Sequence, residues 1–270
     1  LMQDEKGYDI QLINPFDKNN SLKAEIKTYS KDDGYALSLA MSKDGSKLVT
    51  EYVKTENNEI KSTLTFYNFD KVGENSNADR IVGVFPFEDT IFPKLKFADN
   101  NTVCAYGDNK IVCFAAKKEP EILWEKKIAG KIERIAEDKN GFAILVDESG
   151  LLQANTGGVA SDSAIEDDYI DSDYLTGEAD SNSKIVLYSM HYSGGRAYSK
   201  EVDINPKGMS YNDGEIVLYS DTNCIIFDSN GNIKFKNKFN DGITSFTQEG
   251  GRTRYYAIVG KKLKVMRLSE

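Results

Sequence analysis

A strand–turn–strand unit that recurs along the chain, clusters of Asp, Asn and Gly at its joints, and the near absence of helical periodicity predict an all-β fold for this 270-residue sequence. Four strands to a unit, with starts near residues 35, 93, 132, 208 and 243, predict a β-propeller of four-stranded antiparallel blades. A β-sandwich is the competing architecture, because short strands with frequent turns suit it too. The recurrence of four-strand units decides for the propeller.

Composition agrees. Tyr (15) and Phe (13) are plentiful and Pro (5) is scarce, the usage of strands and tight turns rather than of linkers. The length fits one large all-β domain over residues 1–270. The net charge of −9 is local: residues 140–183 carry ten acids and neither Lys nor Arg, so the remainder is close to neutral with both signs mixed. Nothing in that balance favours nucleic acid.

Taken in order, residues 1–33 read as a partial first blade, with Tyr8 to Ile13 and Leu22 to Tyr29 as its two outer strands. The clearest unit follows. Tyr35, Leu37, Leu39 and Met41 alternate along one face of a strand, Lys43-Asp44-Gly45 turns the chain, and Leu48 to Val53 returns. Thr63 to Phe69 and Arg80 to Phe87 complete it. The second unit runs from Pro93 to Tyr106 and adds Lys110 to Ala115 and Ile122 to Ile128. Ile132 to Val146 opens the third. Gly208 to Ser220 opens a later one, whose last strands, Cys224 to Phe227 and Ile233 to Phe239, are joined by an Asn230-Gly231 turn, the strongest short-range hairpin signal. Ile243 to Phe246, Arg254 to Val259 and Leu263 to Leu268 supply three final strands. The partial first blade predicts an N-terminally truncated propeller, with one or two further blades expected upstream.

The region 147–207 is the one that resists assignment. KIVLYS at 184–189 nearly duplicates EIVLYS at 215–220, which predicts an extra blade; the alternative is a single blade with a long acidic insertion.

The stretches DGYALSLAMSKDGSKLVTEYV, TFYNFDKVGENSNADRIVGVF and EDTIFPKLKFADNNTVCAYGDNKI, with NGNIKFKNKFNDGITSF and RYYAIVGKKLKVMRL near the end, resemble a bacterial family of unknown function. Outside 147–207 the resemblance covers most of the chain. It implies a propeller outside the membrane, held by an N-terminal helix that is absent from this chain. Ser42-Lys43-Asp44-Gly45-Ser46-Lys47-Leu48 also resembles the S-x-D-G-x-x-L turn of WD40-like and TolB-like propellers. In that motif Asp44 caps the turn and Gly45 supplies positive φ, a structural role without chemistry.

Residues with catalytic or binding potential are few. His191 is the single histidine, which removes His-based triads and His-rich zinc sites, and before a Gly-Gly turn it reads as a strand-end residue. Without a glycine-rich phosphate loop no nucleotide cofactor is expected. The run Glu166 to Asp173 has oxygen ligands enough for Ca²⁺ but not the EF-hand order, so a solvated acidic loop is the reading and no metal is expected. Cys104 and Cys113 fall opposite each other if Gly107 to Lys110 closes their hairpin, and two reduced, buried thiols are expected there. Trp124, in an apolar strand, is expected in the core. Tyr169, Tyr174 and Tyr192 lie in turn-rich sequence and are the candidates for an exposed binding surface.

The function expected on these grounds is a non-catalytic, extracytoplasmic interaction module at the bacterial cell envelope, with a protein or glycan as partner. A glycan-processing propeller enzyme using paired carboxylates, with Glu88-Asp89 among the loop acids available, is the alternative.

Overall fold

The computed structural model describes residues 8–13, 22–69, 80–149, 184–249 and 253–268. Within these, every extended element is antiparallel and each strand follows its neighbour in sequence. The chain divides into two compact units, Leu1–Glu125 and Lys126–Glu270.

In the first unit, β1 (Tyr8–Ile13) and β2 (Leu22–Thr28) form a two-stranded sheet. Next come β3 (Tyr35–Met41), β4 (Lys47–Glu56), β5 (Glu59–Asn68) and β6 (Ile81–Phe87), a four-stranded sheet in that order. The following sheet contains β7 (Lys94–Phe97), β8 (Thr102–Tyr106), β9 (Lys110–Ala115) and β10 (Glu121–Lys127). The two four-stranded sheets bury Val49, Leu64, Phe66, Leu95, Phe97 and Phe114 between them. Edge-to-face contacts of Phe85 with Phe66 and Phe114, at centroid distances of 5.4 and 5.0 Å, hold that core.

In the second unit, β11 (Lys131–Glu137), β12 (Gly141–Asp147), β13 (Ile185–His191) and β14 (Arg196–Val202) form one sheet. β15 (Gly208–Asn212), β16 (Glu215–Tyr219), β17 (Asn223–Phe227) and β18 (Ile233–Lys238) form the next, and β19 (Ile243–Gln248), β20 (Arg254–Val259) and β21 (Lys262–Arg267) a third. Leu145, Leu187, Ile216 and Leu218 fill the space between the first two, and Ile226, Phe246, Tyr255 and Val259 the space between the last two.

Central strands are apolar throughout because both their faces are covered: β9 and β12 are buried over almost their whole length, whereas the outer strand β10 is largely exposed. That rule overturns the extra blade read from the KIVLYS duplication. β13 pairs directly with β12, from Gly141 opposite His191 to Asp147 opposite Ile185, so residues 184–189 are the third strand of the sheet that 132–146 opens. Residues 215–220 hold the second strand of the sheet after it. Second and third strands are equally buried and need the same apolar run, which is why the two stretches look alike.

The turns repeat one device. Asp44, Asp99, Asp138 and Asp228 each accept backbone N–H groups two to four residues onward through Oδ1. Gly45, with φ +71°, closes the first of these turns. Gly34 is fixed by a different demand: at φ +90° it precedes β3, and a Cβ there would sit 2.6 Å from the Val53 carbonyl oxygen.

Cys104 and Cys113 are cross-strand partners and their sulfurs are bonded, in place of the two reduced thiols expected. The Gly107 N–H donates to Lys110 O, and alternation from that pair makes 104/113 a non-hydrogen-bonded pair. Such pairs bring the backbones closest, here to a Cα separation of 4.1 Å, within reach of a bridge.

Candidate functional site

The first strand of the first four-stranded sheet carries an unusual surface. Hairpin bonds set its register: Ser42 N–H donates to Lys47 O, and in the next sheet Ala98 N–H donates to Thr102 O. Counted back from these bonds, Met41 corresponds to Phe97 and Leu39 to Leu95. Phe97 and Leu95 are 8% and 7% exposed, but Met41 and Leu39 are 43% and 55% exposed. Equivalent positions therefore meet different surroundings.

The cause lies in what covers each face. Met41 pairs with Leu48, Leu39 with Thr50 and Ala36 with Tyr52, so these residues share one face of the sheet. A bulge between Ala36 and Ser38 places Leu37, 50% exposed, on that face as well and turns Tyr35 to the other, so the four-residue stripe of the sequence is broken at its first member. Over Leu48, Tyr52 and Tyr67 lie Leu12 and Ile26 of β1 and β2. That two-stranded sheet leaves Leu37, Leu39 and Met41 open. The Thr50 side chain, fully buried beside Leu39, has a hydroxyl with no hydrogen-bond partner among the described residues. A groove of about 640 Å³, lined by Lys31, Tyr35, Leu37, Val53, Lys54 and Thr55, continues the surface at the start of β3.

Buried charge lies elsewhere and is consumed by the fold. Glu51, on β4, accepts Phe92 N–H at 2.6 Å and Ser62 Oγ–H at 2.7 Å through Oε1, while Ser38 Oγ–H reaches Oε2 at 3.3 Å. Burial pushes its carboxyl above the ordinary glutamate value, and those donors only partly offset the rise. Glu215 accepts the Tyr255 hydroxyl and pairs with Lys234 at 3.4 Å. Lys110 pairs with Asp89 at 3.0 Å and Glu125 at 3.3 Å, which together with a direct hydrogen bond hold its ammonium above the usual lysine value against the opposing effect of burial. Glu51 was invisible in sequence; the one trace of it is an acid at the centre of an apolar strand.

The other sequence candidates are placed as follows. Asp44 accepts Ser42 Oγ–H at 2.6 Å and Ser46 N–H at 3.0 Å, bonds that hold its carboxyl below the usual range. Tyr192 is half-buried rather than exposed: its hydroxyl donates to Asp138 O at 2.8 Å and its ring lies 5.5 Å from Phe142. It follows β13 and so meets the turn that starts β12. Tyr169, Tyr174 and the run Glu166 to Asp173 lie outside the described residues. Trp124 is half-buried on β10, not in the core, because β10 is the outermost strand of its sheet. His191 ends β13, exposed. Among the described residues no cluster of His, Cys, Asp and Glu could hold a metal, and no helix is long and apolar enough to cross a membrane.

The profile of a family of unknown function, DUF5711, matches residues 1–268. The chain belongs to that family. No curated protein matches the DUF5711 sequence. Solved structures do resemble its fold. Sqt1 from Chaetomium thermophilum is 9% identical, with 88% of this chain and 59% of that one covered and a TM-score of 0.55. Sqt1 bound to the N-terminus of ribosomal protein L10 is 12% identical, with 95% and 64% covered and a TM-score of 0.53. The WD40 domain of Neurospora crassa Pan2 is 9% identical, with 94% and 70% covered and a TM-score of 0.45. The DUF5711 chain thus spans less than two thirds of the length of either Sqt1 chain. At such identities the likeness is one of fold: four-stranded antiparallel blades of the WD40-like β-propeller.

Proposed function

We propose that this chain is a non-catalytic, extracytoplasmic interaction module of the bacterial cell envelope, and that it binds protein through the open face of β3. One observation carries the reading. Leu39 and Met41 stand 55% and 43% exposed where their register equivalents are 7% and 8% exposed, so a face patterned for cover lacks it. The exposed side chains at its centre are aliphatic, which suits protein side chains better than sugar rings, since sugars stack on aromatic faces. Sqt1, of the same fold, is a propeller with a bound protein segment, which is in keeping with a protein partner here.

Two further features support the rest of the reading. A disulfide buried between the central strands β8 and β9 suits an oxidising compartment outside the cytoplasm. Glu51 and Glu215 have their carboxylates committed to donors of the fold, an arrangement that favours structure over glycosidic chemistry. The test is a photo-crosslinking amino acid placed at position 39 in cells of the native host, with position 84 on the outer strand β6 as control. A single protein crosslinked from 39 and not from 84 is the expected result. An equal pattern from both positions refutes the assignment of the surface.

A further inference from the structure

We propose that the free edge of β1 accepts an extended segment of a partner protein as an added β-strand, and that this strand lays alternate apolar side chains across Leu37, Leu39 and Met41. The inference rests on the reading of the β3 face as the binding surface and adds the manner of binding.

The connections between sheets supply the first observation. The last strand of one sheet passes to the first strand of the next through residues 88–93, 128–130, 203–207 and 239–242, each a short link. Residues 29–34 make a link of the same kind from β2 to β3. By that rule β2 holds the fourth position of its sheet and β1 the third. In the other sheets the third strand has a second strand on its far side; among the described residues β1 pairs with β2 alone. One edge of β1 therefore offers unpaired backbone N–H and C=O groups, the template that strand addition uses.

The second observation is continuity. Where a sheet has its first two strands, these cover the first strand of the sheet after it: Val49 of β4 and Ala40 of β3 pack over Leu95 and Phe97 of β7. In the second unit Ala136 and Ala143, of β11 and β12, pack with Met209 and Tyr211 of β15. Above β3, the third and fourth positions are filled and already packed, through Leu12 and Ile26, on Leu48, Tyr52 and Tyr67. The open area begins where that contact ends. A strand paired to β1 would extend an existing interface, at a spacing of about 4.8 Å per strand, toward Leu39 and Met41. Alternate residues of the added strand would face them, so the recognised segment is extended, with apolar residues at every second position. The hydroxyl of Thr50, buried at the border of the two areas, is available to one polar group of the segment.

The probe is a fluorescent, lysine-capped peptide of alternating threonine and valine, titrated against the intact chain by polarisation. Saturable binding is expected, weakened at least tenfold by Leu39→Glu and unchanged by Val84→Glu. The same peptide with alternate amides N-methylated along one edge should lose binding, because strand pairing needs those N–H groups. Absence of saturable binding overturns the proposal, as does binding that survives either N-methylation or Leu39→Glu. A dimer in sedimentation equilibrium that Leu39→Glu dissolves would give the face to a second copy and also overturn it. A crosslink from position 39 together with failure of the peptide would leave the surface standing and remove only the added strand. Leu39 is exposed, so the variant should fold, and its urea midpoint is the check.

Discussion

Asp138 joins two sheets through Asp213: its Oδ2 accepts the Asp213 backbone N–H at 2.5 Å, while its Oδ1 accepts Asn140 and Gly141 N–H within its own turn. Asn140 Nδ2 returns a bond to Asp213 Oδ1 at 2.9 Å. Charge-assisted bonds of this sort are worth more than neutral ones, and their loss leaves N–H groups without an acceptor. Asp138→Ala should cost about 2 to 3 kcal/mol in urea unfolding. Asp99→Ala, which removes a cap serving its own turn, should cost about 1 kcal/mol less.

Glu51 links stability to pH. Its folded carboxyl lies above the ordinary value of 4.5, so the folded state holds the proton more tightly than the unfolded state. The stability this group contributes is full below the unfolded value and is lost as pH rises through the folded one. Glu51→Gln, neutral at every pH, should lack that slope, so its stability relative to the parent should climb between about pH 4.5 and 7.5. Urea melts of both proteins across this range give the difference directly. Glu51→Ala should be destabilising by about 2 kcal/mol or more at all pH values, since Phe92 N–H loses its acceptor.

The cysteines divide into two classes. Burial pushes the Cys224 thiol up to about 12, so it should resist alkylation in the folded protein. Unfolded without reductant, the chain should yield one free thiol, and with reductant three. The Cys104–Cys113 bridge spans a sequence separation of 9, for which chain entropy predicts roughly 2.5 kcal/mol. The double variant to Ala should therefore unfold at lower urea by about that amount, plus the loss of two packed sulfurs.

Stability and binding should separate on β3. Leu39→Ser removes exposed surface and should change unfolding free energy by no more than about 0.5 kcal/mol. Leu64→Ala, in the fully buried core, should cost about 2 to 5 kcal/mol. If Leu39→Ser is as costly as Leu64→Ala, the face is already covered in solution.

Much of the fold was legible because it is local. Period-2 patterns and Asp-Asn-Gly turns locate each strand, and hairpin loops set register: the turn at 107–110 alone puts Cys104 opposite Cys113. Membership of a sheet is not local. KIVLYS and EIVLYS carry the same signal because burial on both faces, not position in the sheet, writes it. The same limit explains Trp124 and Tyr192, whose surroundings come from strand order and from a turn more than 50 residues away. The open face of β3 was equally hidden. Its apolar stripe was readable, but alternation says only that a face is meant to be covered, not whether a neighbour covers it. The bulge at Ala36 to Ser38, which moves Tyr35 off that face, has no sequence mark.

The β12–β13 ladder has an architectural consequence. Its seven residue pairs run without a bulge from Gly141–His191 to Asp147–Ile185, so the register is set by side-chain packing and not by a tight turn. Closure entropy grows only with the logarithm of loop length. The junction after Asp147 is therefore a natural port for domain insertion: a reporter protein with neighbouring termini, spliced there in place of residues 150–183, would ride on the blade without shifting a single strand.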